Sequence, residues 1–268
     1  MTEDKEENPE SGEQQESERS GGPLSKLMPP DMSVWREARN LITDKGIRVE
    51  ELAAACVQDP VIVLELLRVS NAMYFSGGRN AITSVKNAIV RLGSEVVVEL
   101  LEELKGREQI KDPAVQGCFN LHRNRCRRVA ITATILSQVA ARNLSDDCQT
   151  AALFTSIGEM LAVYHYQEEY LELAQDQTRT RVNYKLATDF RFDVEKMGLK
   201  YLRKYGLPEV LVFSLDREAK ARNPERAVTR PVCLGSSELV DAFDNNRWEK
   251  LAPGKNLPSK SNLRLLRI

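Results

Sequence analysis

The sequence predicts an all-α protein, and three observations carry that prediction. Apolar residues recur at helical spacing from about Leu27 to Phe243. Helix start and stop signals punctuate the runs, among them Asp59-Pro60, Ser84, Gly93 and Ser94. Runs rich in Val and Phe, such as Val210 to Phe213, have no neighbouring alternating stretch bounded by a hairpin turn. No internal repeat with a period of about 30–50 residues is visible, which disfavours a solenoid.

Each element has a local reason. The first 26 residues hold eight acidic and three basic side chains, with Met1 and Leu24 as the large apolar groups. Such a segment cannot offset the entropy of ordering, so 1–26 is expected to be a disordered acidic tail and 27–268 the folded part. Pro29-Pro30-Asp31 leads into a helix over Met32 to Thr43, with Asp31 as its N-cap. Gly46 breaks that run, and a second helix follows from Val49 to Gln58. Asp59 then offers a capping carboxylate and Pro60 a preset first helical residue. The helix they open sets Val61, Leu64, Leu67 and Val69 on an apolar stripe and ends at Asn71-Ala72. Tyr74 to Asn80, with Gly77-Gly78, reads as a loop. Ser84 caps Val85 to Leu92, Gly93 stops that helix with a left-handed C-cap, and Ser94 caps another over Glu95 to Lys105.

Gly106 to Pro113 reads as a joint between an N-terminal lobe (27–105) and a second lobe (113–250). The second lobe is expected to hold helices over Leu121 to Arg142, Asp146 to Tyr164, Gln167 to Gln175, Tyr184 to Phe190, Val194 to Tyr205, Pro208 to Ala221 and Pro231 to Phe243. The segment 251–268 carries Leu263, Leu265, Leu266 and Ile268 and is expected to dock back on the second lobe.

Composition narrows the function. With 268 residues, 42% apolar and 29% charged, the chain can bury a substantial core as one large domain or two small ones. Its 38 basic and 39 acidic side chains nearly cancel. Removing the tail leaves 31 acidic and 35 basic residues, a net of +4 that is too small for a dedicated nucleic-acid binder. No run approaches the roughly 18 apolar residues of a membrane span, and no secretory signal follows Met1, so a cytoplasmic protein without membrane insertion is expected. Cys56, Cys118, Cys126, Cys148 and Cys233 are odd in number and form no Cys-x-x-Cys pair, which points to reduced, buried thiols. His122 and His165 are all the imidazole the chain has.

Three segments together resemble the HDOD family, bacterial signalling domains related to the HD phosphohydrolases. Gln58-Asp59-Pro60 through Ser70-Asn71-Ala72 is similar to the family's Asp-Pro helix. Ile82-Thr83-Ser84 through Leu92-Gly93 is similar to the helix that follows it. Ala152-Leu153-Phe154-Thr155-Ser156-Ile157-Gly158-Glu159 stands where relatives read Leu-Leu-His-Asp-Ile-Gly. Phe192-Asp193 with Gly198, then Tyr205-Gly206-Leu207-Pro208, fits the later helix pair. From the residues themselves, Asp59, Pro60, Asn71 and Gly93 read as structural, with Asn71 bonding free backbone groups near its helix end.

The resemblance puts the His-Asp dyad of an HD site at Thr155-Ser156, an earlier histidine at Arg125 and later ones near Val194 and Asp216. A hydrolytic metal needs imidazole and carboxylate donors, and none stands at those positions. No metal, cofactor or catalytic residue is therefore expected. His122 reads as a packing or surface residue, at a position where relatives often carry an aromatic side chain. His165 reads as a helix-terminal histidine bonded to a carbonyl. Arg123, Arg125, Arg127 and Arg128 point around more than one helix face and read as a solvated basic run with partners among Asp146, Asp147 and other acids. The sharper reading has Arg125 bind a phosphate in place of the lost metal. The expectation is a degenerate, non-catalytic HDOD protein that acts as a signal-transduction output or adaptor through an unidentified signalling protein. The alternative is a sensor that binds a nucleotide or cyclic dinucleotide at Arg125 without hydrolysis.

Overall fold

The computed structural model describes residues 22–43, 48–72, 81–220 and 226–245, and every regular element among them is a helix. The acidic segment to residue 21, the loop expected at 74–80 and the segment expected to dock at 251–268 lie outside the described residues.

The N-terminal lobe consists of α1 (Met32–Thr43), α2 (Val49–Cys56), α3 (Pro60–Ala72) and α4 (Val85–Lys105). Asp59 opens α3 as expected: its Oδ1 accepts from the Val61 amide at 2.7 Å. Its Oδ2 accepts from the Asp31 amide, so one fully buried carboxylate fixes two chain segments. The apolar stripe expected on α3 is instead a whole buried surface, since Val61 through Leu67 are all buried between neighbours that include α4 and α5. Ser84 caps α4 by accepting from the Asn87 amide at 3.3 Å. Gly93 sits at φ 75° and ψ 166°, an extended positive-φ backbone open essentially to glycine rather than the left-handed helical cap expected, and it bends α4 into two helical stretches.

The second lobe begins with α5 (Pro113–Ala140), eight residues before the expected start at Leu121. Its first turns carry exposed Ala114, Gln116 and Gly117, so apolar periodicity does not mark them. The start signal is Asp112-Pro113: the Asp112 carboxylate accepts from the amides of Ala114 at 2.8 Å and Val115 at 2.9 Å. The helix expected over Asp146 to Tyr164 is two, α6 (Ser145–Ala152) and α7 (Ile157–Tyr166), separated by a turn at 153–156. After α8 (Glu168–Ala174), α9 runs from Arg179 to Asp189 and α10 from Val194 to Lys204. The helix expected at Pro208 to Ala221 shrinks to α11 (Glu209–Phe213). Asp216 turns the chain there by accepting from the amides of Glu218 at 3.0 Å and Ala219 at 3.1 Å. The last described helix, α12 (Thr229–Asp244), packs on α5 and α6.

Two features position the centre of this lobe. Glycines allow α7 and α10 to touch: a Cβ on Gly158 would stand 1.9 Å from the Val194 carbonyl oxygen, and one on Gly198 would stand 3.1 Å from the Gly158 nitrogen. The arginines of α5 tie the lobes together. Arg123 donates to the Pro29 carbonyl at 2.9 Å, and Arg127 donates to Asp31 at 2.8 Å and to the Gln58 carbonyl.

Ordered structure begins before the expected boundary at residue 27. Pro23–Ser25 forms a 3-10 turn, Leu24 packs against the core, and the Tyr201 hydroxyl donates to the Lys26 carbonyl at 3.1 Å.

Candidate functional site

The fold brings Arg125 of α5 and Ser156, at the start of α7, into direct contact. The guanidinium Nη1 of Arg125 donates to Ser156 Oγ at 2.7 Å. Its Nη2 donates to Ser237 Oγ at 2.7 Å and to Asp241 Oδ1 at 2.9 Å, both on α12, and its Nε donates to the same carboxylate oxygen at 3.1 Å. Arg125 is 6% exposed and Ser156 fully buried. The space expected to hold an HD-type dyad is filled by a guanidinium whose three nitrogens all have acceptors.

A second guanidinium extends the network. Arg179 of α9 donates to Asp241 Oδ2 at 3.1 Å and to Glu159 Oε1 through Nε at 2.8 Å. Glu159 lies on α7 one turn past Ser156, is 2% exposed, and also accepts from Asn183 at 3.3 Å. Burial would raise its carboxyl, but the nearby charges of Arg179, His122 and Arg125 pull it down to about 2. Glu159 is thus a fixed anion against two fixed cations.

Thr155 does not join this cluster. Its hydroxyl donates back to the Ala152 carbonyl at 2.9 Å, and the residue lines a cavity of about 100 Å³ with Gly158, Glu159, Arg179, Val194 and Asp241. Val194 lines the cavity, whereas Asp216 does not and accepts from Arg203 at 3.0 Å. These residues do not fit a metal: the position of the first histidine is a permanent cation, and Thr155 and Ser156 bring neutral hydroxyls.

His122 is bonded to Tyr170 rather than free on the surface, with Nε2 and the phenol oxygen 2.7 Å apart. Burial, with Arg179 and Arg125 nearby, pushes its imidazole down to about 4. His165 departs from the carbonyl-bonded reading: its buried Nδ1 has no hydrogen-bond partner, and its ring meets Tyr166 edge-on at 4.7 Å. The arginine run is not solvated as expected. Arg123 lies 3.7 Å from Asp59, Arg127 reaches Asp31, Arg125 reaches Asp241 and Arg128 reaches Asp244 at 2.7 Å. Asp147 instead binds Arg226 and accepts from Thr83 at 2.6 Å.

Asn71 bonds backbone as expected, and across a longer distance. Its side chain exchanges two bonds with Ile82, to the carbonyl at 3.0 Å and from the amide at 2.9 Å, and donates to the Leu67 carbonyl at 2.8 Å. The sequence reading did not single out Asp241, Ser237, Arg179 or Tyr170. They lie 20 to 116 residues from their partners in α5 and α7, a separation at which no spacing rule operates.

The HDOD domain model matches residues 28–220, most of the chain. The chain belongs to the HDOD family. Among solved structures, the MmoQ response regulator of Methylococcus capsulatus str. Bath has TM-score 0.71 and 17% identity, covering 92% of this chain and 100% of that one. A Campylobacter jejuni virulence factor has TM-score 0.60 and 16% identity, covering 90% of this chain and 96% of that one. At such identities the likeness concerns the fold. No curated protein matches. Among the described residues no group of three or more His, Cys, Asp or Glu is placed to hold a metal ion, and no helix is long and apolar enough to cross a membrane.

Proposed function

We propose that this HDOD protein is a non-catalytic output or adaptor of bacterial signal transduction, acting in the cytoplasm through contact with a signalling protein. The observation that carries the reading is Arg125. Where a hydrolytic site needs an imidazole, this chain has a buried guanidinium already engaged by Asp241, Ser156 and Ser237. Hydrolysis at an HD-type site requires a water activated by a metal on imidazole and carboxylate donors, and the positions in question carry a guanidinium and two hydroxyls instead. The free cysteines, four of them buried, suit a reducing compartment.

A nucleotide sensor is the competing reading, and the geometry weakens it. The Arg125 donors are taken, and the adjoining cavity of about 100 Å³ is well below the roughly 300 Å³ of a small-molecule site. Four carboxylates among its lining residues, against two arginines, also disfavour a phosphate.

The test joins metal analysis with calorimetry on the purified chain. Expected are no stoichiometric transition metal, no hydrolysis of nucleotides or cyclic dinucleotides with added manganese, and no binding heat. A stoichiometric metal or turnover would sink the non-catalytic reading. Micromolar binding, about −8 kcal/mol, that vanishes in Arg125→Ala would install the sensor.

A further inference from the structure

The segment that enters the fold at Gly22 is strongly acidic, with eight acidic and two basic side chains in residues 1–21. The α9–α10 region has the opposite bias: residues 179–204 hold eight basic and three acidic side chains. Part of that charge is used locally. Arg179 binds Glu159 and Asp241, Lys196 lies 3.6 Å from Asp193, and Arg203 binds Glu209 and Asp216. Lys185, Arg191, Lys200 and Lys204 have no ion pair among the described residues, and the last three are exposed. Lys196, Lys200 and Lys204 follow at i, i+4 and i+8, one helix face about 12 Å long.

The chain enters the fold beside this face. The Pro23–Ser25 turn contacts α7 and α10, Tyr201 of α10 bonds the Lys26 carbonyl, and Leu27 lines one crevice with Lys204 and Tyr205. Arg191 sits between Phe190 and Phe192, both of which meet Tyr166 at the end of α7 edge-on. Glu18 is four residues from Gly22, a reach of about 13 Å, and Glu10 is twelve residues away, about 40 Å. A tether this short gives the tail carboxylates an effective concentration of about millimolar or more at α10.

We propose that the exposed basic face of α10, with Arg191, is an interaction surface for acidic polypeptide, and that residues 1–21 of this chain occupy it. The attraction is electrostatic and needs no fixed tail conformation. An acidic partner that uses the face has to displace the tail, so its affinity depends on tail charge.

Zero-length carbodiimide coupling of the full chain, followed by peptide mapping, tests this. Expected are amide links between tail carboxylates and Lys200 or Lys204 in the monomer band. They fall several-fold when ionic strength rises from about 0.01 M to about 1 M, which shortens the screening length from about 30 Å to about 3 Å. Links spread over Lys86, Lys105 and Lys111 in proportion to exposure would overturn the proposal, and links confined to a dimer band would assign the face to a second copy. An independent readout uses the full chain with amides at all eight tail carboxylates. Acetylation of Lys200 and Lys204 relative to Lys111 rises several-fold if the tail covers them, and unchanged reactivity overturns it.

Discussion

Replacing Arg125 with Met separates a structural guanidinium from a ligand-binding one. The change removes four hydrogen bonds of 2.7–3.1 Å while keeping most of the apolar stem. Ser156, fully buried, loses the acceptor role of its hydroxyl, at about 1–3 kcal/mol. Ser237 loses a charge-assisted bond, about 1 kcal/mol. Asp241 loses less than a buried partner would, since its side chain is 37% exposed and keeps Arg179 at 3.1 Å. With about 0–1 kcal/mol for that half-exposed pair, the sum is about 2–5 kcal/mol, or about 4–20 °C in Tm for a domain of this size. Thermal unfolding followed by far-ultraviolet circular dichroism, with a urea titration beside it, reads the effect. A variant that melts within about 2 °C of the parent would refute the argument. Arg125 would then be dispensable to the fold, and a ligand would be the better explanation for it.

The other predictions concern packing, backbone satisfaction and pH. Gly158→Ala sets a methyl 1.9 Å from the Val194 carbonyl oxygen, a backbone clash that flexible side chains cannot relieve. It is expected to cost about 3 kcal/mol or more, and an unchanged urea midpoint would contradict the α7–α10 contact. Asn71→Ala leaves the Ile82 amide and carbonyl without their side-chain partner and should cost about 2–3 kcal/mol. Faster hydrogen exchange at Ile82 is the local signature. Acid should destabilise the fold in two windows. His122, held down to about 4, takes a proton in the unfolded chain first, so stability falls below about pH 6.5. Glu159, lowered to about 2, contributes stability above its unfolded pKa that is lost as pH falls from about 4.5 towards 2. His122→Gln should flatten the upper part of the stability–pH curve and Glu159→Gln the lower part. Retention of both slopes in the variants would exclude these two groups as their source.

Local chemistry made most of the helices legible in the sequence. Asp59-Pro60 and Ser84 cap the helices that they announce, and Gly93 breaks its helix with a positive φ. Where a boundary moved, a local signal had been outweighed. Asp112-Pro113 starts α5 ahead of any apolar periodicity, and the turn at 153–156 divides a run whose composition reads as one helix. The candidate site was legible in position only: Arg125 and Ser156 were singled out, but not as partners.

By itself the sequence determined the helical class, the family and the absence of imidazole or carboxylate at the expected dyad, because residue type and short spacing carry that information. Tertiary structure decided what became of the arginines on α5. Four neighbours in one run pair with Asp59, Asp31, Asp241 and Asp244, two ahead of them in the chain and two far behind. A guanidinium's role depends on which acceptor stands within about 3 Å of it, and for Arg125 that acceptor lies 116 residues away on α12.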